Sequence, residues 1–258
     1  MQRNMRLVVL GAAESGVGAA ILALQKGYEV FVSDMGSIKP RYQEMLRKHH
    51  IAFEEGKHTE ELILNADEVV KSPGIPDTAP MVARLIEKGT PILSEIEFAA
   101  RYTDARMIAI TGSNGKTTTT SLIYHILKKA GTDVGLAGNI GHSLALQVAE
   151  TPHSTYVIEL SSFQLDNMYR FRADIAVLLN ITPDHLDRYN FEMQNYVNSK
   201  MRILQNQGPT DSFIYWMEDN YVPQALNERE TAVKRCGFTD EPSEGAVAWA
   251  QNGELVIN

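Results

Sequence analysis

The sequence predicts an α/β protein of two successive domains, a Rossmann-like domain over residues 1–98 and a P-loop domain over 99–258. Short apolar strand-like runs alternate with segments of helical period, which argues for parallel sheets. In each half a glycine-containing turn joins a buried strand to a helix. The first is Gly11-Ala12-Ala13-Glu14-Ser15-Gly16, and the second is Thr111-Gly112-Ser113-Asn114-Gly115-Lys116-Thr117-Thr118.

Arg6–Leu10 is the first strand, Gly16–Lys26 a helix, and Glu29–Ser33 a second strand that ends on Asp34. Arg41–Lys48 is helical, Ile51–Phe53 extended, Glu68–Ser72 a further strand and Ala79–Lys88 a helix. Pro91–Arg101 reads as the connector between the domains. The second domain opens with the strand Arg106–Ile110 and the helix Thr117–Ala130, whose Leu122, Ile123, Ile126 and Leu127 fall at helical spacing. Thr155–Glu159 and Ile175–Leu179 are strands, and Phe191–Gln205 is a long amphipathic helix. Ala246–Ala250 and Leu255–Ile257 flank Asn252-Gly253, a hairpin-turn signal. This last strand pattern runs up to Asn258 with no terminating element, so the chain is expected to stop inside a domain.

A length of 258 residues gives each domain enough chain to bury a core. A net charge of −8 without a basic run argues against a nucleic-acid partner and against an anionic membrane surface. Cys236 is the single cysteine, so no internal disulfide forms, in keeping with a reducing compartment. No apolar stretch approaches the length of a membrane span. Met1–Leu24 imitates a signal peptide, with Arg3 and Arg6 ahead of an apolar run. Glu14 interrupts that run and the helical pattern continues through Leu24, so the segment reads as folded and the protein as cytoplasmic.

The Thr111–Thr118 loop has the make-up of a phosphate grip. Backbone N–H groups of a glycine loop and a helix N-terminus face anionic oxygens, while Lys116 reaches the terminal phosphates and the Thr117 hydroxyl serves Mg²⁺. The usual spacing has a glycine five residues before Gly115, where this chain has Ile110; its glycine is Gly112. A chance Gly-Lys-Thr at a tight turn is the alternative, and the strand–loop–helix frame favours the phosphate site. Further along, Glu159 ends a strand, Asn180–Tyr189 follows another strand end, and Lys200 lies on the long helix. Oxygen donors from Thr117 and Glu159 suit Mg²⁺, whereas the His185 imidazole is a less usual ligand for it. Taken singly, each reads better as structural: Glu159 as a cap, His185 as a hydrogen-bonded loop residue, Lys200 as a solvated helix residue. Only together, at strand ends beside the P-loop strand, do the functional and structural readings weigh about the same.

In the first domain, Gly11–Gly16 approaches a dinucleotide fingerprint, with Asp34 as the later acid. Ala13 stands where that fingerprint has the glycine of close pyrophosphate approach. Three readings fit: a nicotinamide site, another nucleotide-diphosphate site, or a Rossmann-like domain without ligand. Ser72-Pro73-Gly74-Ile75-Pro76 adds a turn at the C-terminal end of a strand, either a second ligand loop or a structural Pro-Gly turn.

Four segments together carry a resemblance. They are Ile108–Thr118, Gly138-Asn-Ile-Gly141, Ile158-Glu-Leu-Ser-Ser-Phe-Gln-Leu165 and Leu179-Asn-Ile-Thr-Pro-Asp-His-Leu-Asp-Arg-Tyr189. In order and spacing the chain resembles the Mur ligase family over nearly its whole length. The string at 159–165 and a first domain with Ser-Pro-Gly-Ile are most similar to the branch that adds D-glutamate. The displaced Gly112 is this family's own P-loop form.

The resemblance implies an ATP-dependent amide ligase of peptidoglycan synthesis. ATP would phosphorylate the carboxylate of UDP-N-acetylmuramoyl-L-alanine, and the amine of D-glutamate would displace phosphate from the acyl phosphate. Gly112, Ser113, Asn114, Gly115, Lys116, Thr117 and Thr118 would bind ATP. Thr117 and Glu159 would hold one Mg²⁺, and Glu159, His185 and Lys200 a second, with Lys200 as an N-carbamate because an ammonium cannot ligate a cation. Lys116, Glu159, His185 and Lys200 would form the catalytic set. Ser15, Asp34 and Ser72 would contact the uridine diphosphate group, and Asn139 and His185 the muramyl-alanyl end; Ala13 and Glu14 depart from the usual glycine and apolar residue. Tyr196, Lys200 and Ile203 share one side of their helix, with Leu204 beside them, and an apolar-flanked lysine has a depressed pKa. The family's chain continues into the rest of the ATP domain and a third domain that holds D-glutamate. The expectation is therefore a monomeric fragment that lacks its C-terminal domain, binds ligand and does not turn over. The rivals are a nicotinamide-dependent dehydrogenase and a non-catalytic UDP-sugar-binding module.

Overall fold

The computed structural model describes residues 4–258; Arg3 of the signal-like pattern lies outside them. Contacts gather the chain into two units. The first is the chain through Asp104 with Gly141–His153 and Asn167–Tyr169, and the second is Ala105–Ile140, Ser154–Asp166 and Arg170–Asn258.

The first unit alternates strand and helix: β1 (Arg6–Leu10), α1 (Glu14–Gln25), β2 (Glu29–Asp34), α2 (Pro40–Lys48), β3 (Ala52–Glu55), α3 (Glu60–Ile63), β4 (Glu68–Lys71), α4 (Pro80–Glu87), β5 (Ile92–Leu93) and α5 (Glu95–Ala100). All five strands run parallel in the order β3-β2-β1-β4-β5, the Rossmann order, which reverses direction between β1 and β4. Leu7, Val8, Val9 and Leu10 are fully buried, as a strand covered on both faces must be. Burying each such side chain contributes roughly 1.5–3 kcal/mol. Helix α1 starts at Glu14, two residues earlier than its apolar pattern, because an acid in the first turn suits the positive end of the helix. A Cβ on Gly16 would lie 1.9 Å from the Gly11 carbonyl oxygen, so only glycine lets α1 abut the loop that feeds it.

Pro91–Arg101 is not a plain connector. Ile92-Leu93 is the edge strand of the first sheet, pairing Val69 with Ile92 and Val70 with Leu93. The expected boundary at 98/99 falls inside α5, where Phe98 is fully buried and packs edge-on against Tyr28 and Tyr102. A two-residue strand is too short to show any periodicity.

The second unit contains β6 (Arg106–Thr111), α6 (Lys116–Lys129), β7 (Val134–Gly138), β8 (Thr155–Glu159), α8 (Ser162–Asp166), β9 (Ile175–Leu178), α9 (Met193–Met201), β10 (Ser212–Trp216), α10 (Val222–Asn227), β11 (Lys234–Thr239), β12 (Ala246–Gln251) and β13 (Glu254–Ile257). Between β7 and β8, α7 (Leu144–Glu150) belongs to the first unit, where it packs on α1 and α5. The eight strands lie in the order β13-β12-β11-β10-β9-β6-β8-β7, parallel except for β13. Ile108, Ile110, Val157 and Val177 form the core, with Ile123 and Leu127 of α6 packed on it. Asn252 and Gly253 both take positive φ between β12 and β13, as a two-residue hairpin turn requires. The helix expected over Phe191–Gln205 is shorter: α9 ends at Met201 and continues as a 3₁₀ turn to Leu204, while Phe191 has φ 58° and is exposed.

Candidate active site

The phosphate-type loop of the second unit crosses from the end of β6 to α6. Gly112 and Gly115 take φ of 153° and 83°, which a side chain would resist. The loop is tied from several sides. The Ser113 hydroxyl reaches the Thr182 carbonyl at 2.9 Å and Tyr196 Oη at 3.1 Å, and also accepts from the Thr182 N–H. Asn114 and Asn180 are joined twice: the Asn114 N–H donates to Asn180 Oδ1 at 2.9 Å, and the Asn180 amide donates to the Asn114 carbonyl at 3.1 Å. Lys116 Nζ folds back onto the carbonyls of Gly112 and Ser113, both at 2.9 Å. Thr118 follows in the exposed first turn of α6. Asn180 was not singled out from sequence; a polar residue just past the C-terminal end of a parallel strand is the signal that marks it.

Glu159 is fully buried at the end of β8 and receives two donors. The Thr117 hydroxyl donates to Oε2 at 2.8 Å and the Asn139 side-chain amide to Oε1 at 2.7 Å. Asn139 reaches it because β7 closes onto β8 at Gly138, where a Cβ would stand 2.1 Å from the Glu159 carbonyl oxygen at φ 100°. Gly138→Ala is therefore expected to destabilise the second unit by about 3 kcal/mol, enough to lower its Tm by several degrees. An unchanged thermal midpoint would show that the β7 edge slides freely.

Lys200 is 2% exposed, flanked by the buried Tyr196, Ile203 and Leu204. Its Nζ donates to the Gly112 carbonyl at 2.8 Å and sits 4.7 Å from the Tyr196 ring centre. Burial pushes its pKa down to about 7, the nearby Lys116 adding to the shift while Asp184 and Asp166 oppose it. Lys116 and Lys200 thus meet on one carbonyl. His185, at φ 50°, pairs with Asp184 at 3.5 Å and rests on Phe163, making no hydrogen bond to Glu159 or Lys200.

Among the described residues no group of three or more His, Cys, Asp or Glu is arranged to hold a metal. The Thr117–Glu159 pair nevertheless fits a magnesium ion that takes its other ligands from phosphate and water, since both offer hard oxygen at the mouth of a phosphate loop.

In the first unit, a cavity of about 590 Å³ opens beyond the C-terminal ends of β1, β2 and β4, at the point where the strand order reverses. Gly11, Ala13, Asp34 and Ser72 line it, as does His58, which sequence reasoning passed over; Ser15, in the first turn of α1, does not. Asp34 organises the rim: Oδ2 accepts from the Ala12 N–H at 2.7 Å and Oδ1 from the Gly36 N–H at 2.8 Å. Buried Lys71 donates to the Ile75 carbonyl at 2.6 Å and holds the Ser72–Ile75 turn closed.

Comparison with known proteins gives a family for each of the two units. Residues 110–254 match the family model of the Mur ligase middle domain, and residues 6–81 that of the MurD N-terminal domain. The UDP-N-acetylmuramoylalanine–D-glutamate ligase of Bacteroides fragilis is 65% identical over 252 residues, covering 98% of this chain and 57% of that protein. The protein of the same description from Porphyromonas gingivalis is 58% identical over 253 residues, covering 97% and 56%. The chain thus spans little more than half the length of these relatives. Among solved structures, the UDP-N-acetylmuramate:L-alanyl-gamma-D-glutamyl-meso-diaminopimelate ligase of Neisseria meningitides superposes with a TM-score of 0.67 at 18% identity, covering 99% of this chain and 85% of that one. The UDP-N-acetylmuramate-alanine ligase of Thermotoga maritima gives 0.55 at 20% identity, covering 95% and 54%. At such identities these two speak for the fold alone.

Proposed function

The chain belongs to the Mur ligase family, and on that premise we propose that it is part of an ATP-dependent ligase that joins D-glutamate to UDP-N-acetylmuramoyl-L-alanine. The observation that carries this reading is the meeting of Lys116, Thr117, Glu159 and Lys200 around one phosphate loop. The names of the relatives at 58–65% identity supply the substrates.

The reaction begins with transfer of the γ-phosphoryl group of ATP to the substrate carboxylate. Its demand is charge neutralisation and alignment rather than covalent chemistry by the protein. Loop N–H groups and Lys116 supply positive charge to the phosphates, for which Lys116 leaves the carbonyls of Gly112 and Ser113. Thr117 and Glu159 would hold one Mg²⁺, which would screen the phosphate charge. Lys200, as its N-carbamate, would complete a second position with Glu159 and with His185, whose imidazole would first have to turn away from Asp184. The amine of D-glutamate then attacks the acyl phosphate and phosphate leaves. Asn139 and His185 orient the muramyl-alanyl end, and Asp34 and Ser72 serve the uridine diphosphate group, without Ser15, which does not line the cavity. We place the reaction in the cytoplasm and the protein as a monomer. Cys236 is a free thiol, and no helix among the described residues is long and apolar enough to cross a membrane.

The first unit is expected to prefer uridine diphosphate groups to NAD. Ala13 occupies the close-approach position of the dinucleotide fingerprint, and the Asp34 carboxylate already serves two loop N–H groups. Separate calorimetric titrations with UDP and NAD decide it. Micromolar NAD binding without any response to UDP would overturn the ligase reading.

A further inference from the structure

Ser33, at the end of β2, is fully buried and touches three groups at once. Its hydroxyl lies 2.8 Å from Glu54 Oε1, 3.3 Å from the Lys57 carbonyl oxygen and 2.7 Å from His58 Nδ1. Glu54 also accepts from the Thr59 N–H at 2.8 Å and the Thr59 hydroxyl at 2.5 Å. Burial pushes the Glu54 carboxyl up, but the hydrogen bonds from Thr59 and Ser33 outweigh it and leave it below the usual carboxylate range. A serine hydroxyl has one proton to give, and the ionised carboxylate is the nearer and stronger of its two oxygen acceptors. A charged carboxylate also outcompetes a neutral ring nitrogen for that proton, so the proton in the Ser33–His58 contact belongs to His58 Nδ1. A neutral imidazole protonated at Nδ1 offers Nε2 as an acceptor. His58 makes no other polar contact with the described residues, and it forms part of the cavity wall with Asp34 and Ser72. These three residue types make no nucleophilic triad here, because the serine is the buried middle member and is closed to substrate.

We propose that His58 is a specificity-determining residue of this cavity, its Nε2 accepting a hydrogen bond from an N–H or O–H donor at the nucleoside end of the ligand. The proposal rests on the reading of the cavity as a uridine diphosphate site. Two donors share that chemistry, the imide N–H of uracil and the ribose hydroxyls. Cytosine has a bare ring nitrogen where uracil has its imide N–H, so an acceptor aimed there selects uracil. Ser33 and Glu54 are positioning residues that fix the tautomer.

The test is calorimetric titration of the 258-residue chain with UDP, CDP and 2′,3′-dideoxyuridine diphosphate, for the wild type, His58→Asn and His58→Gln. Asparagine keeps an amide near Nδ1 for Ser33 and removes Nε2; glutamine keeps a polar group near Nε2. His58→Asn is expected to weaken UDP about tenfold at unchanged Tm, and His58→Gln to keep part of the affinity. Collapse of the preference for UDP over CDP assigns the uracil imide; collapse of the preference over the dideoxy compound assigns the ribose. UDP affinity in His58→Asn within about twofold of the wild type overturns the proposal. So does an equal loss for all three nucleotides in both variants with a lowered Tm, which marks a purely structural histidine. If the wild type binds no uridine nucleotide, the reading of the cavity falls and the His58 assignment with it. If the wild type binds and His58→Asn matches it, only the assignment falls.

Discussion

Replacing Lys200 by alanine is expected to abolish ligation, lowering turnover by at least about a thousandfold, or about 4 kcal/mol of barrier. Lys200 is buried beside the loop glycine rather than spread in solvent, and its pKa is brought down to about 7. Near neutral pH much of it is then the free amine, which adds to carbon dioxide and loses a proton to leave an anionic carbamate. The assay is phosphate release from UDP-N-acetylmuramoyl-L-alanine, ATP, Mg²⁺ and D-glutamate in a chain of the relatives' full length. Short carboxylic acids should restore part of the lost rate by standing in for the missing carbamate. Wild-type turnover in Lys200→Ala would remove the residue from the mechanism. The same shift affects stability. Between pH about 7 and 10.5 the unfolded chain holds a proton on Lys200 that the folded chain does not. Folding stability therefore rises with pH across that window, and Lys200→Met should flatten the rise.

The second large effect concerns the 258 residues by themselves, which should bind UDP-N-acetylmuramoyl-L-alanine without forming the amide. They span 57% of the Bacteroides fragilis relative. The resemblance assigns D-glutamate binding to a further domain. Losing the amine's placement beside the acyl phosphate forfeits roughly 7–11 kcal/mol of proximity advantage. Water also has freer access to the activated carboxylate when no closing domain excludes it. ATP should bind weakly. D-glutamate-dependent phosphate release at ordinary enzyme rates, about 1–1000 s⁻¹, would show that this chain holds a complete active site.

The architecture was legible wherever apolar strands were long and buried on both faces, as at Leu7–Leu10 and Met107–Ile110. It was not legible at β5, with two residues, at β7, where Gly135 and Gly138 dilute the pattern, at β10, where only Phe213 is fully buried, or at β11, which opens on exposed Lys234 and Arg235. The site residues named from sequence that do converge, Lys116, Thr117, Glu159, Asn139 and Lys200, sit at strand ends or on the elements that follow them. Their order in the chain therefore foretold their neighbourhood. His185 shares that placement, yet its side chain pairs locally with Asp184. The Asn114–Asn180 staple and the Ser33–His58 contact were hidden because each depends on which strands pair: the Asn180 side chain meets the Asn114 backbone across β6 and β9, and Ser33 on β2 meets His58 just after β3.

The grip on Gly112 also governs how an anion would be received. Two lysine amino groups, two asparagines and the Ser113–Thr182 pair hold the loop in shape using the protein's own donors and acceptors. An arriving phosphate therefore meets a cradle already formed, and little backbone freedom is lost on binding. The exchange is one of partners: Lys116 gives up two neutral carbonyls for charged oxygens, a stronger kind of hydrogen bond at nearly constant bond count. Affinity for the anion then depends mainly on charge rather than on new order. Added salt should weaken it more than a glycine placed in the loop's flanks would.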